Sequence, residues 1–302
     1  MPPISRFFAR FFARCALFTL WLLHWLPLPL LRVVGRGLGA LAYRFAPARR
    51  AVARVNLALC FPDRSEAERE RLTRTHFTLF AQTLLERGLL WWASQKRLSR
   101  LIVFSGAERL DRLAGQPVVL LAPHFIGLDA GGMAILLHGK GVSLYSKQKN
   151  PVFDRQFRAG RMRFHGALLF SRQDGIRPIL KAMRQGLPFY YLPDMDLGRR
   201  NSIFVPFFGV EAATVPALSR IVRATGAKVL PILTRLTPQG YHVEILPPWE
   251  NFPGESIEDD TRFMNRAIEE WIMAAPEQYY WLHKRFKTRP AGSPSLYPDF
   301  IS

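Results

Sequence analysis

The chain has 302 residues, of which 49% are hydrophobic and 13% aromatic, so it can bury a large core and differs from a disordered basic tail. Its 42 lysine and arginine residues against 23 acidic ones give a formal net charge of +19, which predicts a polyanionic partner such as nucleic acid, anionic lipid or a phosphorylated substrate. Two cysteines, Cys15 and Cys60, exclude a disulfide framework and fit a reducing compartment.

The N-terminal segment combines arginines with aromatic residues. Arg10 and Arg14 alternate with pairs of phenylalanines, a pattern typical of a helix in the membrane interface. The uncharged run at residues 15–31 is slightly short for a span of about 20 residues and contains prolines. A broken transmembrane helix and a monotopic anchor both fit it; a signal peptide fits less well, because no small-residue cleavage site follows. We predict a membrane anchor over residues 1–34 and a folded domain over residues 35–302.

Hydrophobic periodicity divides the rest of the chain into alternating strands and helices. Ser65 with Glu68 forms a capping-box pattern that opens a long helix near residue 66. Further helices are predicted at 128–137, from 151 onward, and at 176–185, 215–225 and 258–274. Strands are predicted at 118–122, 142–145, 168–170, 188–192 and 228–233, with an antiparallel strand at 241–246. This alternation predicts an α/β fold, with a central, mostly parallel sheet flanked by helices.

The stretch around His124 is the strongest candidate for chemistry. A buried strand ends at Pro123; His124 follows at once, and Asp129 comes five positions later. On a regular helix this spacing puts two residues roughly 140° apart, so they meet only if His124 lies in the turn before the helix. Asp129 would then accept the proton of one ring nitrogen and leave the other as a general base. A histidine that simply caps the helix fits the same residues.

Several segments, in order and spacing, resemble one family. His124 and Asp129 match the HxxxxD block of glycerolipid-type acyltransferases. The similar later blocks lie at 149–151 with 160–164, 194–198 with 204–209, 230–232 and 281–290. Together they resemble the late acyltransferases of lipid A biosynthesis, the lauroyl and myristoyl transferases. The resemblance extends from the N-terminal anchor almost to the end, and implies a glycerolipid-acyltransferase-like fold with residues 35–302 as the acyltransferase domain.

The resemblance implies a reaction and a place for it. An O-acyltransferase would move an acyl chain from acyl carrier protein to a hydroxyl of a 3-hydroxyacyl chain on a lipid A precursor, at the cytoplasmic face of the bacterial inner membrane. His124, oriented by Asp129, would be the general base. A thiol is a good leaving group, so we expect no covalent intermediate, no metal and no cofactor. Backbone N–H groups near Gly127 or a basic side chain are the expected oxyanion donors.

The block match also assigns candidate binding residues. The expected substrate-binding residues are Arg161, Arg163, Asp194, Asp196, Lys284 and Arg285. The first two would bind acceptor phosphates, the aspartates would orient those bases or sugar hydroxyls, and the last two would meet head groups or the acidic carrier protein. The alternatives are surface arginines, helix-start caps and a solvated basic face, respectively.

Three other functions are left open by the sequence. The first is an acyltransferase that acts on another glycolipid or a lysophospholipid with acyl-CoA. The second is a membrane scaffold without activity, against which the intact His124 and Asp129 argue. The third is a nucleic-acid-binding protein, suggested by charge alone; since no helix-turn-helix, zinc or ribonucleoprotein motif accompanies the charge, we expect no nucleic acid partner.

Overall fold

The computed structural model describes residues 3–298, so residues 1, 2 and 299–302 of the two predicted units lie outside the described part. Its helices, in chain order, are α1 (Pro3–Leu23), α2 (Leu28–Phe45), α3 (Pro47–Cys60), α4 (Glu66–Trp92), α5 (Gln95–Leu101), α6 (Ala107–Asp111), α7 (Leu128–His138), α8 (Pro151–Arg161), α9 (Arg177–Arg184), α10 (Ala217–Thr225) and α11 (Ile257–Ala274). Its strands are β1 (Ile102–Ser105), β2 (Val118–Leu121), β3 (Val142–Tyr145), β4 (Leu168–Ser171), β5 (Phe189–Tyr191), β6 (Ile203–Phe207), β7 (Val210–Thr214), β8 (Lys228–Thr237) and β9 (Gly240–Ile245).

A seven-stranded sheet in the order β1-β9-β8-β2-β5-β3-β4 forms the centre. Neighbouring strands from β8 to β4 are parallel, whereas β9 runs antiparallel to β8 and parallel to β1. The α/β prediction and the antiparallel strand are confirmed. A separate hairpin of β6 and β7 was not predicted, because Phe208, an unusual turn residue, shares its turn with Gly209, and both have positive φ.

The central strand β2 is buried on both faces. Val119 and Leu121 belong to the core beneath α9, α10 and α11, while Val118 and Leu120 belong to the core beneath α4 and α7. A continuous apolar run is what a parallel strand covered by helices on both sides requires. The loop that follows the carboxyl end of β2 therefore lies at the end of the sheet where the strands terminate, between two layers of helices.

The N-terminal region breaks at its prolines. α1 ends at Leu23, and α2 begins at Leu28 with Pro27 as its N-cap residue, so the uncharged run is divided between two helices. Within residues 3–298, no helix combines the length and apolar character that a bilayer span needs. Membrane attachment through residues 1–34 stays a prediction. The predicted boundary after residue 34 falls inside α2, and the division into two units is also still a prediction.

α2 is held against α4 by close backbone contact and by a buried ion pair. A Cβ atom at Gly39 would lie only 2.5 Å from the Cα of Thr78, so glycine is needed where these helices approach. Nε of Arg32 donates to the buried carboxylate of Glu86 at 2.8 Å, and the same guanidinium donates to backbone carbonyls of the β8–β9 turn. These contacts pack α2 onto α4 and the β8–β9 turn.

Candidate active site

His124 lies beyond the carboxyl end of β2, and its partner is Asp194, beyond the end of β5. β2 and β5 are adjacent and parallel, with Leu121 opposite Tyr191, so the residues three positions further on reach the same level at the sheet edge. Nδ1 of His124 lies 2.6 Å from Oδ1 of Asp194, and the backbone N–H of His124 donates to Oδ2 at 2.9 Å. Both carboxylate oxygens of Asp194 are therefore paired with His124.

The surroundings of Asp194 fix the protonation of this pair. Asp194 is fully buried, and the hydroxyl of Tyr279 also donates to it. Burial acts to raise the pKa of this carboxyl, but the charge and the hydrogen bonds of His124 outweigh it and hold the pKa below its usual value. Since an ionised carboxylate only accepts hydrogen bonds, Nδ1 is the donor and Nε2 is the ring nitrogen left to take a proton. This arrangement is a base with an orienting carboxylate.

Asp129 lies at the start of the helix, as the sequence predicted, but its partners differ from the predicted one. It lies in the first turn of α7, where Oδ2 accepts from Nε of Arg87 at 3.0 Å and Oδ1 accepts from Nη2 of Arg161 at 2.7 Å. The predicted hydrogen bond from one ring nitrogen of His124 to Asp129 is wrong, because Nδ1 is paired with Asp194 and arginines bind both oxygens of Asp129. His124 and Asp129 nevertheless line the same cleft.

The Asp129 carboxylate should make the folding stability of the protein depend on pH. Burial raises its pKa, but Arg161 and Arg87 lower it more, to about 2 against an ordinary value of 3.8. A pKa that is lower in the folded state adds stability above about pH 4, and this stability is lost as the pH falls toward 2. We expect Asp129→Asn to reduce the free energy of unfolding by about 2 kcal/mol at neutral pH. Denaturant titrations in detergent, from neutral pH to pH 2, measure the free energy of unfolding of the wild type and the variant. A difference between the two proteins that does not become smaller as the pH falls would contradict the prediction.

The cleft at this edge of the sheet has a volume of about 630 Å³. His124 and Asp129 line it together with the cationic side chains of Arg87, Arg161 and Arg172. The guanidinium of Arg161 also lies 4.1 Å from the ring centre of Phe157, another residue of the wall. A base, cations and apolar walls in one cleft fit a ligand that has both anionic and hydrocarbon parts.

Two of the predicted binding arginines are engaged within the fold. Arg163 donates to two backbone carbonyls at the end of α4, at 2.9 and 2.7 Å. Arg285 is 2% exposed and donates to the carbonyl of Ala213 at 2.9 Å and to the hydroxyl of Thr214 at 2.8 Å. Neither arginine lines the cleft. The predicted role of these two residues in substrate binding is therefore at odds with their positions.

Asp196, in the loop after β5, forms hydrogen bonds to the C-terminal segment that contains Lys284. Asp196 accepts from the backbone N–H and the hydroxyl of Thr288 at 2.7 and 2.8 Å, and its own N–H donates to Nε2 of His283 at 2.9 Å. Burial, with the charge of Arg285, lowers the pKa of His283 to about 4, so this ring is a neutral acceptor. Nζ of Lys284 lies 5.9 Å from the ring centre of Tyr297. The hydrogen bonds of Asp196 thus keep the C-terminal segment close to Asp194.

Sequence reasoning missed two residues of the site, Arg87 and Tyr279, and the pairing of Asp194. Arg87 projects from the C-terminal part of α4, and one arginine among many in the sequence does not indicate a site. For Asp194 a signal existed: Pro123-His124 and Pro193-Asp194 each follow a buried apolar strand by the same short interval. Equal intervals after neighbouring parallel strands would have predicted the pair.

Comparison with known proteins gives consistent matches. The family model described as bacterial lipid A biosynthesis acyltransferase matches residues 5–288. The lipid A biosynthesis lauroyltransferase of Escherichia coli (strain K12) is 38% identical and is matched over 92% of each chain. The lipid A biosynthesis myristoyltransferase of the same organism is 34% identical, over 84% of this chain and 80% of the relative. Among solved structures, the 1-acyl-sn-glycerophosphate acyltransferase of Thermotoga maritima aligns with a TM-score of 0.37 and 14% identity, over 77% of this chain and 98% of that one.

Proposed function

The chain belongs to the bacterial lipid A biosynthesis acyltransferase family and is an acyltransferase enzyme, and from this premise we propose that it moves an acyl chain from acyl carrier protein to a hydroxyl of a 3-hydroxyacyl chain on a lipid A precursor. The family supports acyl transfer onto lipid A. The observation that carries the mechanism is the hydrogen-bonded pair of His124 and Asp194 at the edge of a cationic, partly apolar cleft.

Acyl transfer needs one group that accepts a proton from the acceptor hydroxyl and later gives it to the leaving thiolate. The acceptor hydroxyl loses its proton to Nε2 of His124 while its oxygen attacks the thioester carbonyl. Collapse of the tetrahedral intermediate breaks the carbon–sulfur bond, and the thiolate takes the proton from Nε2. Asp194 stabilises the imidazolium that forms in between. The backbone N–H groups of Ile126 and Leu128 already donate to carbonyls, which favours a cationic side chain over them as the oxyanion donor.

Arg87 and Arg161 are the proposed binding site for a phosphate of the acceptor. Both line the cleft beside His124, and Asp129 joins them through ion pairs of 3.0 and 2.7 Å. One carboxylate neutralises one of the two cations and fixes the direction of both, so a net positive charge is left for the ligand. A planar guanidinium can bind phosphate through two parallel hydrogen bonds. Asp129 is thus a positioning residue for the arginines.

The proposed site of action is a membrane surface, at the cytoplasmic face of the bacterial inner membrane. α1 exposes a row of aromatic side chains, among them Phe8, Phe11 and Phe12. Trp25 is exposed between α1 and α2, and α2 exposes further apolar residues. Exposed arginines accompany both helices. An aromatic and cationic surface of this kind suits the interface of an anionic bilayer, where the lipid acceptor resides.

Removal of two of these aromatic rings is expected to weaken membrane binding. Phe11 and Phe12 are 52% and 66% exposed, and their double replacement by serine loses roughly 1.5–3 kcal/mol of apolar burial per ring, more than a tenfold change in partition. Flotation with vesicles that contain anionic lipid measures the effect. The control is the pair Val103→Ser and Met273→Ser, which are 61% and 53% exposed on other elements. Equal flotation of the two double variants would contradict the proposed surface.

The donor is tested by mass spectrometry of the acceptor. The detergent-purified protein is incubated with a tetraacylated lipid A precursor and with one acyl chain presented either on acyl carrier protein or on coenzyme A. The proposal predicts a mass gain of one acyl chain with the carrier-protein thioester, at a much higher rate than with the coenzyme A thioester. Preference for coenzyme A would overturn the donor assignment, and transfer only to a lysophospholipid would overturn the acceptor.

A further inference from the structure

A groove of about 810 Å³ lies between α2, α4 and the β8–β9 turn. α2 approaches α4 closely at Gly35, where a Cβ atom would lie 2.7 Å from Cγ of Gln82. The α2 residues beside this contact line the groove: Pro29, Arg32, Val33 and Arg36. Their spacing of three, four and seven positions from the first places them on one side of the helix. Among the residues that the structure describes, none lines both this α2–α4 groove and the cleft that contains His124.

Arginines from both walls give the α2–α4 groove an excess of positive charge. Three of them form neither a hydrogen bond nor an ion pair through their guanidinium groups within the described part of the chain: Arg36, Arg64 and Arg71. A fourth, Arg32, is neutralised by its ion pair with Glu86. The acidic lining residues are Glu68, which already accepts two hydrogen bonds from Ser65, and Glu277. Three unpaired arginines against two glutamates leave one positive charge in excess.

The α2–α4 groove also has an apolar wall. Val33 of α2, Leu72 and Leu79 of α4 and Leu236 at the end of β8 contribute to it. Val33 is exposed, and it lies on the helix that carries further exposed apolar side chains: Leu30, Val34, Leu38 and Leu41. The apolar wall is therefore continuous with the surface of α2 that we propose to contact the membrane. A ligand that joins an anionic group to a hydrocarbon chain matches both kinds of lining.

We propose that the α2–α4 groove binds one anionic phospholipid of the membrane, with its phosphate among the three unpaired arginines and an acyl chain along the apolar wall. A phosphodiester carries a single negative charge, which matches the excess positive charge of the groove. Guanidinium groups bind phosphate oxygens through parallel hydrogen bonds. Free phosphate would leave the apolar wall uncovered, whereas a phospholipid covers it without leaving the bilayer. This lipid is neither donor nor acceptor, because the proposed reaction takes place in the separate cleft.

Lipid binding is measured on the detergent-purified full chain by native mass spectrometry. Phosphatidylglycerol is added at increasing concentration in nonionic detergent, and phosphatidylcholine with the same acyl chains is the zwitterionic comparison. Because the added lipid is dilute in each micelle, the attraction of basic residues to a whole anionic surface is small. Inorganic phosphate, added as a competitor, distinguishes a phospholipid site from a site for free phosphate.

Two sets of variants change the α2–α4 groove. Arg36→Gln combined with Arg71→Gln removes two charges from it, and the matched control, Arg112→Gln combined with Arg220→Gln, removes two exposed charges from the end of α6 and from α10. Thr75→Glu adds a negative charge to the wall of the groove, and Thr75→Ser is its control. All these positions are exposed, so every variant should fold.

We expect the wild type to bind phosphatidylglycerol about tenfold more tightly than phosphatidylcholine. The variant that lacks Arg36 and Arg71 should lose about 10- to 30-fold in affinity, as expected when two arginine charges near an anionic lipid are removed. Thr75→Glu should weaken binding in the same direction. Both controls should bind like the wild type, and acyl transfer in detergent should be unchanged in every variant.

Three results would overturn the proposal. Equal affinity of the groove variant and of its matched control would show that binding depends on the overall charge of the protein. Displacement of the lipid by inorganic phosphate would identify a site for free phosphate. Loss of acyl transfer together with lipid binding would assign the groove to the acceptor.

Discussion

Replacement of His124 by asparagine is expected to slow acyl transfer by about 10²–10⁴-fold, the usual contribution of a general base. The amide nitrogen of asparagine can take the place of Nδ1 and keep the hydrogen bond to Asp194, whereas nothing replaces Nε2. The fold and membrane binding should therefore be unchanged. Single-turnover rates with a saturating thioester measure the chemical step without product release.

The chain offers a matched control for this substitution. His138 also forms a hydrogen bond to an aspartate, with Nε2 at 2.7 Å from Oδ1 of Asp111, but it does not line the cleft. His138→Asn should transfer at the rate of the wild type. If His124→Asn retains the full single-turnover rate, His124 is not the base and the proposed mechanism is wrong.

Asp194→Asn is expected to lower the rate by a similar factor, about 10²–10⁴-fold. An amide keeps the size of the side chain and can still accept from the backbone N–H of His124. However, its NH₂ group can donate to Nδ1, which puts the imidazole proton on Nε2 and removes the base. The matched variant is Asp129→Asn, which leaves the pair of His124 and Asp194 intact.

The comparison of these two aspartates separates the predicted pairing from the observed one. Asp129→Asn should act mainly through its two arginines, and so should raise the KM for the acceptor more than it lowers the single-turnover rate. Asp194→Asn should do the reverse. A larger loss of single-turnover rate in Asp129→Asn than in Asp194→Asn would restore Asp129 as the residue that orients the base.

Local patterns predicted the elements of the fold well. Ser65 and Glu68 form the capping box at the start of α4 that their spacing predicted, with the side chain of each bonded to the backbone of the other. β2 could be recognised because a strand covered on both faces has no polar positions. Such features depend on neighbours in sequence, and the alternation of strands and helices then leaves few possible sheet arrangements.

The pairing at the site depends on strand order, which the sequence does not display. His124 and Asp194 are 70 residues apart in sequence. They meet only because β5 lies next to β2 in the sheet, whereas β3 and β4, which precede β5 in sequence, lie further out. The five-residue spacing of His124 and Asp129 suggested a local pair instead. Without the positions of α4 and α8, the sequence does not indicate that Arg87 and Arg161 bind both carboxylate oxygens of Asp129.

The basic residues illustrate the same limit. The segment 281–290 mixes aromatic and cationic side chains, and composition alone cannot tell which of them face solvent. Arg285 is buried because the carbonyl of Ala213 and the hydroxyl of Thr214, both on β7, accept its hydrogen bonds and the ring of Phe207 lies beside it at 4.9 Å. A hairpin that was not predicted supplies all these partners, so the buried role of Arg285 could not be predicted either.

The orientation of His124 by Asp194 is tested most directly by the protonation of the His124 ring, measured by NMR with ¹⁵N-labelled histidine and with His124→Asn to assign the signals. We expect the neutral ring to carry its proton on Nδ1 in the wild type and in Asp129→Asn, and to lose this preference in Asp194→Asn. A ring that changes tautomer in Asp129→Asn and is unaffected in Asp194→Asn would show that Asp129, and not Asp194, orients the base.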